Sequence, residues 1–473
     1  MNENPAALIP ELLLLLAAVA GLLLGAWLPR RRQSLVRVLA VATCAAGLVA
    51  TVVAATGPDQ VVFGGSYAID TATHAVRVIV LVATPIALAI GVDTIGGHRR
   101  ETEFVVLLLL AALGAIVLAG ANDLLLAFAG FLLASVPLYA LTGWAKTAMA
   151  VEAAMKYYLS GALAGVVMLT GTAILYGAGG ATGYPAVSTA LTGAPAAAVA
   201  VGLVAVLAGL LFKTGAAPAH FWVPDVTDGT PAPVAAIVTT IPKIGALVAV
   251  YRLLAVAIPA QVLDWPLLLA VLAAASMTLG NLAAFFQTSV QRLLGYSTIS
   301  QVGYLLMATA VAGRAPGALP ALLVYLAGYA VTNLGAFAVV AEFPAARSLT
   351  DYRGLARAHP GLAAALVVCL FGLIGTPPTV VFLGKLTIFT AAVDGGFAWL
   401  AVLAVANTVA SVFYYLRWIV PVFRPATDEE SVGVLTPAGT WSKIAAYAAA
   451  GLSLALGVGG GALLALLDGP LTR

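Results

Sequence analysis

Residues Leu211–Gly245 read LFKTGAAPAHFWVPDVTDGTPAPVAAIVTTIPKIG, and the fold turns on how this stretch is understood. It sets Lys213, His220 and Lys243 in or beside apolar segments, and it interrupts those segments with Gly215, Pro218, Pro231, Pro233 and Pro242. An ionisable side chain in hydrocarbon is costly, so within a membrane segment it faces protein or a water-filled path and is functional by default. Proline removes a backbone donor and bends the helix, and exposed carbonyls at membrane depth occur where they line a cavity or pack on protein. Titratable groups beside interrupted helices point to a path for ions or protons.

The composition places the whole chain in the bilayer. Of 473 residues, 62% are hydrophobic and 9% are charged, against about 25% charged in soluble domains. Apolar runs near twenty residues, the length that crosses about 30 Å of hydrocarbon, follow one another almost without a gap. The expectation is an all-α polytopic membrane protein with no room for a soluble domain. The net charge of +3 is spread over loops, which excludes the clustered basic patch of a nucleic-acid binder. Cys44 and Cys369 stand alone in separate runs, without the paired spacing of zinc or iron-sulfur ligands, and read as core residues. Glu3, with no basic residue before the apolar run near Leu8, argues against a cleaved signal peptide and makes that run the first span.

Run length and Gly, Pro and charge boundaries predict about fourteen spans. Three fall within 1–100, and five lie within 101–258, roughly at 103–120, 122–144, 152–177, 195–218 and 230–257. Five more lie within 259–425, roughly at 262–286, 290–313, 318–343, 361–392 and 397–423, and 426–473 holds a C-terminal helix. Arg30, Arg31, Arg32, Arg37, Arg99, Arg100, Lys146, Arg292, Arg347, Arg353 and Arg357 follow odd-numbered spans. Cytoplasmic loops carry the basic excess, so both termini are expected outside the cell membrane. Asp59, Asp225, Asp228, Asp264, Asp394 and Arg314 are assigned to the opposite loops.

The two blocks of five spans resemble each other. The fourth member of the first carries Lys213 and breaks at Gly215 and Pro218. The fourth member of the second, FGLIGTPPTVVFLGKLTIFT, breaks at Gly375, Pro377 and Pro378 and carries Lys385. An odd number of spans inverts the second copy, and inverted-repeat transporters place their sites on such discontinuous helices near the midplane. Lys213 and Lys385 then read as symmetry partners.

Lys213 and Lys385 lie too deep in their spans for ordinary snorkelling to the interface. Burial and a nearby carboxylate pull on a lysine in opposite directions, so a buried lysine can load and unload a proton. Lys243 is alike and sits beside a proline. His220 either relays protons or caps the resumed helix. Glu152 and Lys156, four apart, pair along one helix face, as a proton site or as a surface pair. Asp123 in GANDLLLAF reads as a helix cap. The glycines of YGAGGATG, 176–183, lack the strand context of a phosphate loop and read as a plain loop.

EAAMKYYLSGALAG, FKTGAAPAHFWVPDVTDGTPAPV, GNLAAFFQTSVQRLLGYSTISQVGYLLMA and DYRGLARAHP together carry a resemblance. The chain resembles the antiporter-like membrane subunits of respiratory complex I, the NADH-quinone oxidoreductase of bacteria. TPAPV followed by PKIG is most similar to the N-type branch, and related subunits occur in Mrp-type antiporters and membrane-bound hydrogenases. The resemblance implies fourteen helices in two inverted five-helix repeats, and a proton channel along a central line of charged residues. On it Lys213 is similar to the central lysine of the broken seventh helix, Lys243 to that of the eighth, Lys385 to that of the broken twelfth and Lys156 to that of the sixth. His220 matches the histidine of the family's HFW segment.

The implied partners are the other membrane-arm subunits in a bacterial inner membrane. No cofactor is expected on this chain, so NADH and quinone are handled elsewhere in such a complex. Two departures stand out: Leu132 occupies the position of the family's fifth-helix glutamate, and Gln301 a position that is often histidine. Charges about 4 Å apart at an effective dielectric of 20 attract by about 4 kcal/mol, so the missing glutamate removes the usual partner of Lys213. Glu152 is the expected substitute. The alternatives are a cation/proton antiporter subunit and a proton-silent structural copy.

Overall fold

The computed structural model describes residues 4–425 and 434–472; Glu3 and residues 426–433 of the expected C-terminal segment lie outside them. Helices α1 (Ile9–Trp27), α2 (Ser34–Ala54) and α3 (Thr71–Ile95) open the chain, with a hairpin of β1 (Gln60–Val62) and β2 (Tyr67–Ile69) between the last two. Then come α4 (Glu101–Gly120), α5 (Leu124–Thr142), α6 (Ala148–Gly179), the short α7 (Tyr184–Leu191), α8 (Ala196–Thr214), α9 (Trp222–Gly229) and α10 (Ala232–Arg252). The second half holds α11 (Trp265–Ala284), α12 (Val290–Ala310), α13 (Ala318–Glu342), the single turn α14 (Leu355–Ala358), α15 (Pro360–Ile374), α16 (Val380–Asp394) and α17 (Ala398–Phe423). The chain closes with α18 (Trp441–Val458) and α19 (Gly460–Leu466).

Twelve helices among the described residues are long and apolar enough to cross a membrane. Helix α12 is a thirteenth of matching length, and α15 with α16 make a fourteenth crossing in two halves. Helix α12 falls short on apolarity because it carries Gln291, Ser297, Thr298, Ser300 and Gln301, all buried. Protein rather than lipid surrounds those groups, so neighbouring helices supply their hydrogen bonds.

The packing of α4 on α5 and α6 on α8 recurs as α11 on α12 and α13 on α15. Helices α10 and α13 pack together, and other helices enclose the apolar stretch of each on every side. A Cβ at Gly245 would collide with the Ala115 carbonyl oxygen, so glycine is what lets α10 touch the backbone of α4. Small residues at helix contacts are how membrane bundles pack without a hydrophobic drive.

Several expectations are corrected. Helix α6 runs on to Gly179, so the glycine-rich loop is confined to 180–183. The hairpin and α7 are too short to register as apolar runs. The seventh span does not end at 218: it stops at Thr214 and resumes as α9, which carries the chain across. Asp225 and Asp228 therefore lie with the arginine-rich loops, where Ser289 Oγ donates to Asp228 at 2.6 Å and Arg292 approaches Asp225 at 3.4 Å. The pairing of Lys213 is taken up below.

Both termini lie at the opposite end. Arg77 donates to the Ala7 carbonyl at 3.0 Å, and Thr472 N donates to Asp70 at 3.0 Å. Two buried ion pairs pin this end: Arg252 grips Asp70 through two bonds of 2.7 and 2.8 Å, and Arg77 grips Glu11 through two of 2.7 and 2.8 Å. Two-pronged arginine–carboxylate contacts fix geometry as well as charge. Asp70 also caps α3, and Asp123 caps α5 as its position predicts, accepting from Leu125 N at 2.8 Å and Leu126 N at 3.1 Å. None of Glu11, Asp70, Arg77 and Arg252 stands out in sequence, because each sits near a span end where a charge is ordinary.

Candidate functional site

A helix ends with carbonyls that have no intrahelical donor and carry partial negative charge, so a helix that breaks inside the membrane needs donors there. The two breaks meet that need in the same register. Helix α8 ends at Gly215 (φ 76°) and α15 at Gly375 (φ 87°), left-handed conformations that favour glycine. Gly215 N and Ala216 N fold back on the Leu211 carbonyl at 2.9 and 3.0 Å, and Gly375 N and Thr376 N on that of Phe371 at 3.0 and 3.1 Å. Each break also contains one cis peptide, Ala217–Pro218 and Pro377–Pro378.

The carbonyl preceding each glycine is capped by a lysine. Lys243 Nζ, from α10, donates to the Thr214 carbonyl at 2.5 Å. Lys385 Nζ, from α16, donates to the Ile374 carbonyl at 2.8 Å and lies 4.2 Å from the centre of the Tyr304 ring, with Thr408 Oγ1 at 3.4 Å. Lys213 does something else. Its ammonium leaves the break and reaches α5, donating to the Ala134 carbonyl at 2.6 Å and to Ser135 Oγ at 3.0 Å. Lys213 and Lys243 are wholly buried and Lys385 is 3% exposed. Among the described residues none of the three forms an ion pair.

This corrects the pairing of Lys213 with Lys385. With Gly215 laid on Gly375, Lys213 falls on Leu373 and Lys385 on Asp225. The lysine that acts like Lys385 is Lys243, which belongs to a different helix of the first repeat. Periodicity could not show this, because it ranks depth along a span and not the direction of a side chain.

Glu152 does not substitute for the missing glutamate. It is exposed and pairs with Lys156 at 2.8 Å, and Lys156 also meets Asp225 at 2.9 Å on the same outer face. Lys156 is therefore not part of the buried line. Its neighbour Tyr157 is, with its ring stacked 4.3 Å from Trp222; Lys213 Nζ lies 6.0 Å from the Tyr157 ring and Lys243 Nζ 5.4 Å from that of Trp222. Leu132 is 40% exposed, so the position of the family glutamate is on the lateral surface of this chain. His220 is half-buried; its backbone carbonyl accepts from Val223 N at 2.9 Å, while the imidazole Nδ1 is buried without a partner. The ring neither caps α9 nor hydrogen-bonds a lysine.

Buried hydroxyls and amides lie between the two breaks. Thr239 and Thr240, one turn before Lys243, accept from Asn333 Nδ2 of α13 at 3.0 and 2.9 Å. Tyr329, one turn before Asn333, donates to the Thr239 carbonyl at 2.8 Å, and its hydroxyl lies 3.1 Å from Thr298 Oγ1 of α12. Gln301, one turn further along α12, donates to the Leu373 carbonyl at 2.8 Å and accepts from Tyr325 OH. Leu373 adjoins Ile374, the residue Lys385 caps. The interior prolines of α5 and α10 help: proline loosens the ladder around it, and the carbonyl three residues before each takes an outside donor, Ala134 before Pro137 and Thr239 before Pro242. Sequence reading missed Thr239, Thr298, Tyr325, Tyr329 and Asn333, because uncharged groups in a span signal little; their only trace is the unusual polarity of α12.

The sequence family described as NADH:quinone oxidoreductase/Mrp antiporter, TM, matches residues 121–413. A relative from Streptomyces griseus named NADH-quinone oxidoreductase subunit N 1 is 62% identical over 464 residues, 98% of each chain. A chain of respiratory complex I from Thermus thermophilus, solved with bound aureothin, is 34% identical over 98% of this chain and 100% of its own, with a TM-score of 0.83. A chain of the Mrp complex from a Dietzia species is similar in fold, at 22% identity, with a TM-score of 0.85 over 98% of this chain and 96% of its own. This chain thus belongs to the NADH:quinone oxidoreductase/Mrp antiporter membrane family, among its NADH-quinone oxidoreductase subunit N members.

Proposed function

We propose that this chain conducts protons as a membrane-arm subunit of a bacterial NADH-quinone oxidoreductase, while other subunits oxidise NADH and reduce quinone. The observation that carries this reading is the set of three buried ammonium groups beside two broken helices, each held by neutral oxygens, with buried hydroxyls and amides lying between two of them. A lysine so held binds or releases one proton as the field around it changes, and rotating hydroxyls pass protons between fixed points. Lys213, Lys243 and Lys385 bear the proton, and Thr239, Asn333, Tyr329, Thr298 and Gln301 form the link. His220, half-buried at the first break, is the candidate to pass protons to Lys243. Glu152 and Lys156 hold the outer ion cluster with Asp225 and Arg292. The arginine-rich loops face the cytoplasm and both termini face outside, in accord with the basic bias of cytoplasmic loops.

The test is proton translocation by the assembled complex in liposomes, measured against NADH oxidation in the same sample. Lys243→Met and Lys385→Met are each expected to lower acidification per NADH oxidised about tenfold or more while the complex stays intact. Unchanged acidification in both variants would sink the assignment. Proton-silent behaviour is the second reading, favoured by the absence of a carboxylate beside Lys213; it predicts wild-type pumping stoichiometry in all three lysine variants. Recovery of the chain with antiporter subunits alone, with sodium-dependent exchange, would favour the Mrp-type reading instead.

A further inference from the structure

The N-terminal helices carry a groove that the lysine line does not use. Between α2, α3 and the first turn of α18 runs an open, mainly apolar channel of about 570 Å³, lined by Arg37, Val38, Val41, Pro85, Leu88 and Trp441. The small side chains of Ala42 and Ala89 also line it, and their size is what leaves the space. Its mouth is at the arginine-rich end, where Ser34 and Arg37 begin α2 and Trp441 begins α18, and its floor at Val41 and Pro85 lies deeper in the bilayer.

Positive charge flanks that mouth: Arg37 lines it, and three more arginines precede Ser34, which also lines it. Arg30, Arg31 and Arg32 form one exposed turn immediately before α2 and make no ion pair among the described residues. Arg37 pairs with Glu101 through Nε at 2.7 Å and remains 22% exposed. Trp441 is half exposed, and Asp93 holds its backbone N–H at 3.0 Å. From the surface inward the order is guanidinium, indole, hydrocarbon. That is the order in which a phospholipid presents phosphate, glycerol and acyl chain, and tryptophan favours the headgroup boundary. A helix of another protein would match the apolar walls but would leave three cations at the rim without a counter-charge.

We propose that the groove binds one anionic phospholipid, with its phosphate on Arg30–Arg32 and Arg37 and an acyl chain along Val38, Val41 and Leu88. Basic residues at the cytoplasmic surface attract anionic headgroups by about 1 kcal/mol each, about fivefold in affinity per residue. The site is independent of the lysine line and stands whether or not this chain pumps.

The experiment uses the complex in phosphatidylcholine nanodiscs containing either phosphatidylglycerol or phosphatidylcholine with brominated acyl chains, which quench nearby tryptophan. The Trp441 signal is the difference between wild type and Trp441→Phe. Brominated phosphatidylglycerol is expected to quench it at a mole fraction at least about fivefold below that needed for the choline lipid. Arg30→Gln, Arg31→Gln and Arg32→Gln together remove that preference, and Ala42→Phe, which fills the groove, removes the quenching. Equal quenching by both lipids overturns the proposal, as does a preference that survives the triple change. No quenching by either lipid overturns it too, because a neighbouring subunit then covers the groove.

Discussion

The two broken helices share a backbone and differ in where their lysine stands. Both stop at a left-handed glycine, fold two N–H groups back on a carbonyl four residues earlier, and offer the carbonyl before the glycine to an ammonium. At the second break that ammonium is local: Lys385, on the resumed half, reaches back eleven residues to Ile374. At the first it is imported: Lys243 comes from α10, twenty-nine residues beyond Thr214, and frees Lys213 to engage α5. The first repeat thus places two ammonium groups around one break and the second places one. A break is a site of partial negative charge whatever the sequence around it, so the cation that caps it can come from any helix within reach.

If capping defines the function, the largest losses come from the two capping lysines. Lys243→Met and Lys385→Met each strand a buried carbonyl, costing about 1–3 kcal/mol, and remove a proton carrier; acidification per NADH oxidised is expected to fall about tenfold or more. Equal tolerance of both would break the comparison from the start. Lys213→Met leaves both break carbonyls capped, so its loss is expected to be smaller, about three- to tenfold in the same assay.

A sharper test transplants the lysine. Leu373→Lys in the Lys385→Met background puts the ammonium at the register position of Lys213, and acidification is expected not to recover, because that position does not face the Ile374 carbonyl. Recovery would mean that depth in the bilayer matters and capping does not. Next come the glycines. Gly215→Ala and Gly375→Ala force a side chain into the left-handed region, at about 1–2 kcal/mol. The added Cβ would lie 2.8 Å from Lys243 Nζ in the first and 2.8 Å from Lys385 Cδ in the second. Both are expected to lower the unfolding midpoint of the detergent-solubilised complex, with pumping hurt more at Gly215, where the ammonium itself is displaced. Lys156→Gln, on the outer face, is expected to leave pumping within the error of the acidification assay.

Much of this was legible beforehand. The crossings, the two broken members and the depth of Lys213, Lys243 and Lys385 follow from apolar run length, from glycine and proline inside such runs, and from the cost of charge in hydrocarbon. Two kinds of feature were not. Asp225 and Asp228 went to the wrong end because α9 is only eight residues long and too polar to register as half of a crossing. The link through Thr239, Asn333, Tyr329 and Gln301 was invisible because hydroxyls and amides occur throughout helical spans, and only a partner within about 3 Å gives them meaning.

The residues alone determined that the chain lives in a membrane, that it crosses about fourteen times, and that two crossings are interrupted beside lysines. Composition and local backbone chemistry act on every residue wherever its neighbours lie. The tertiary structure decided which lysine meets which carbonyl, that Glu152 faces outward, and that Tyr329 and Asn333 of α13 bond Thr239 and Thr240 of α10 across the two halves. Those outcomes depend on side-chain direction and on contacts between residues as far as 94 apart in the chain for some pairs and 29 for others, and no linear pattern encodes that geometry.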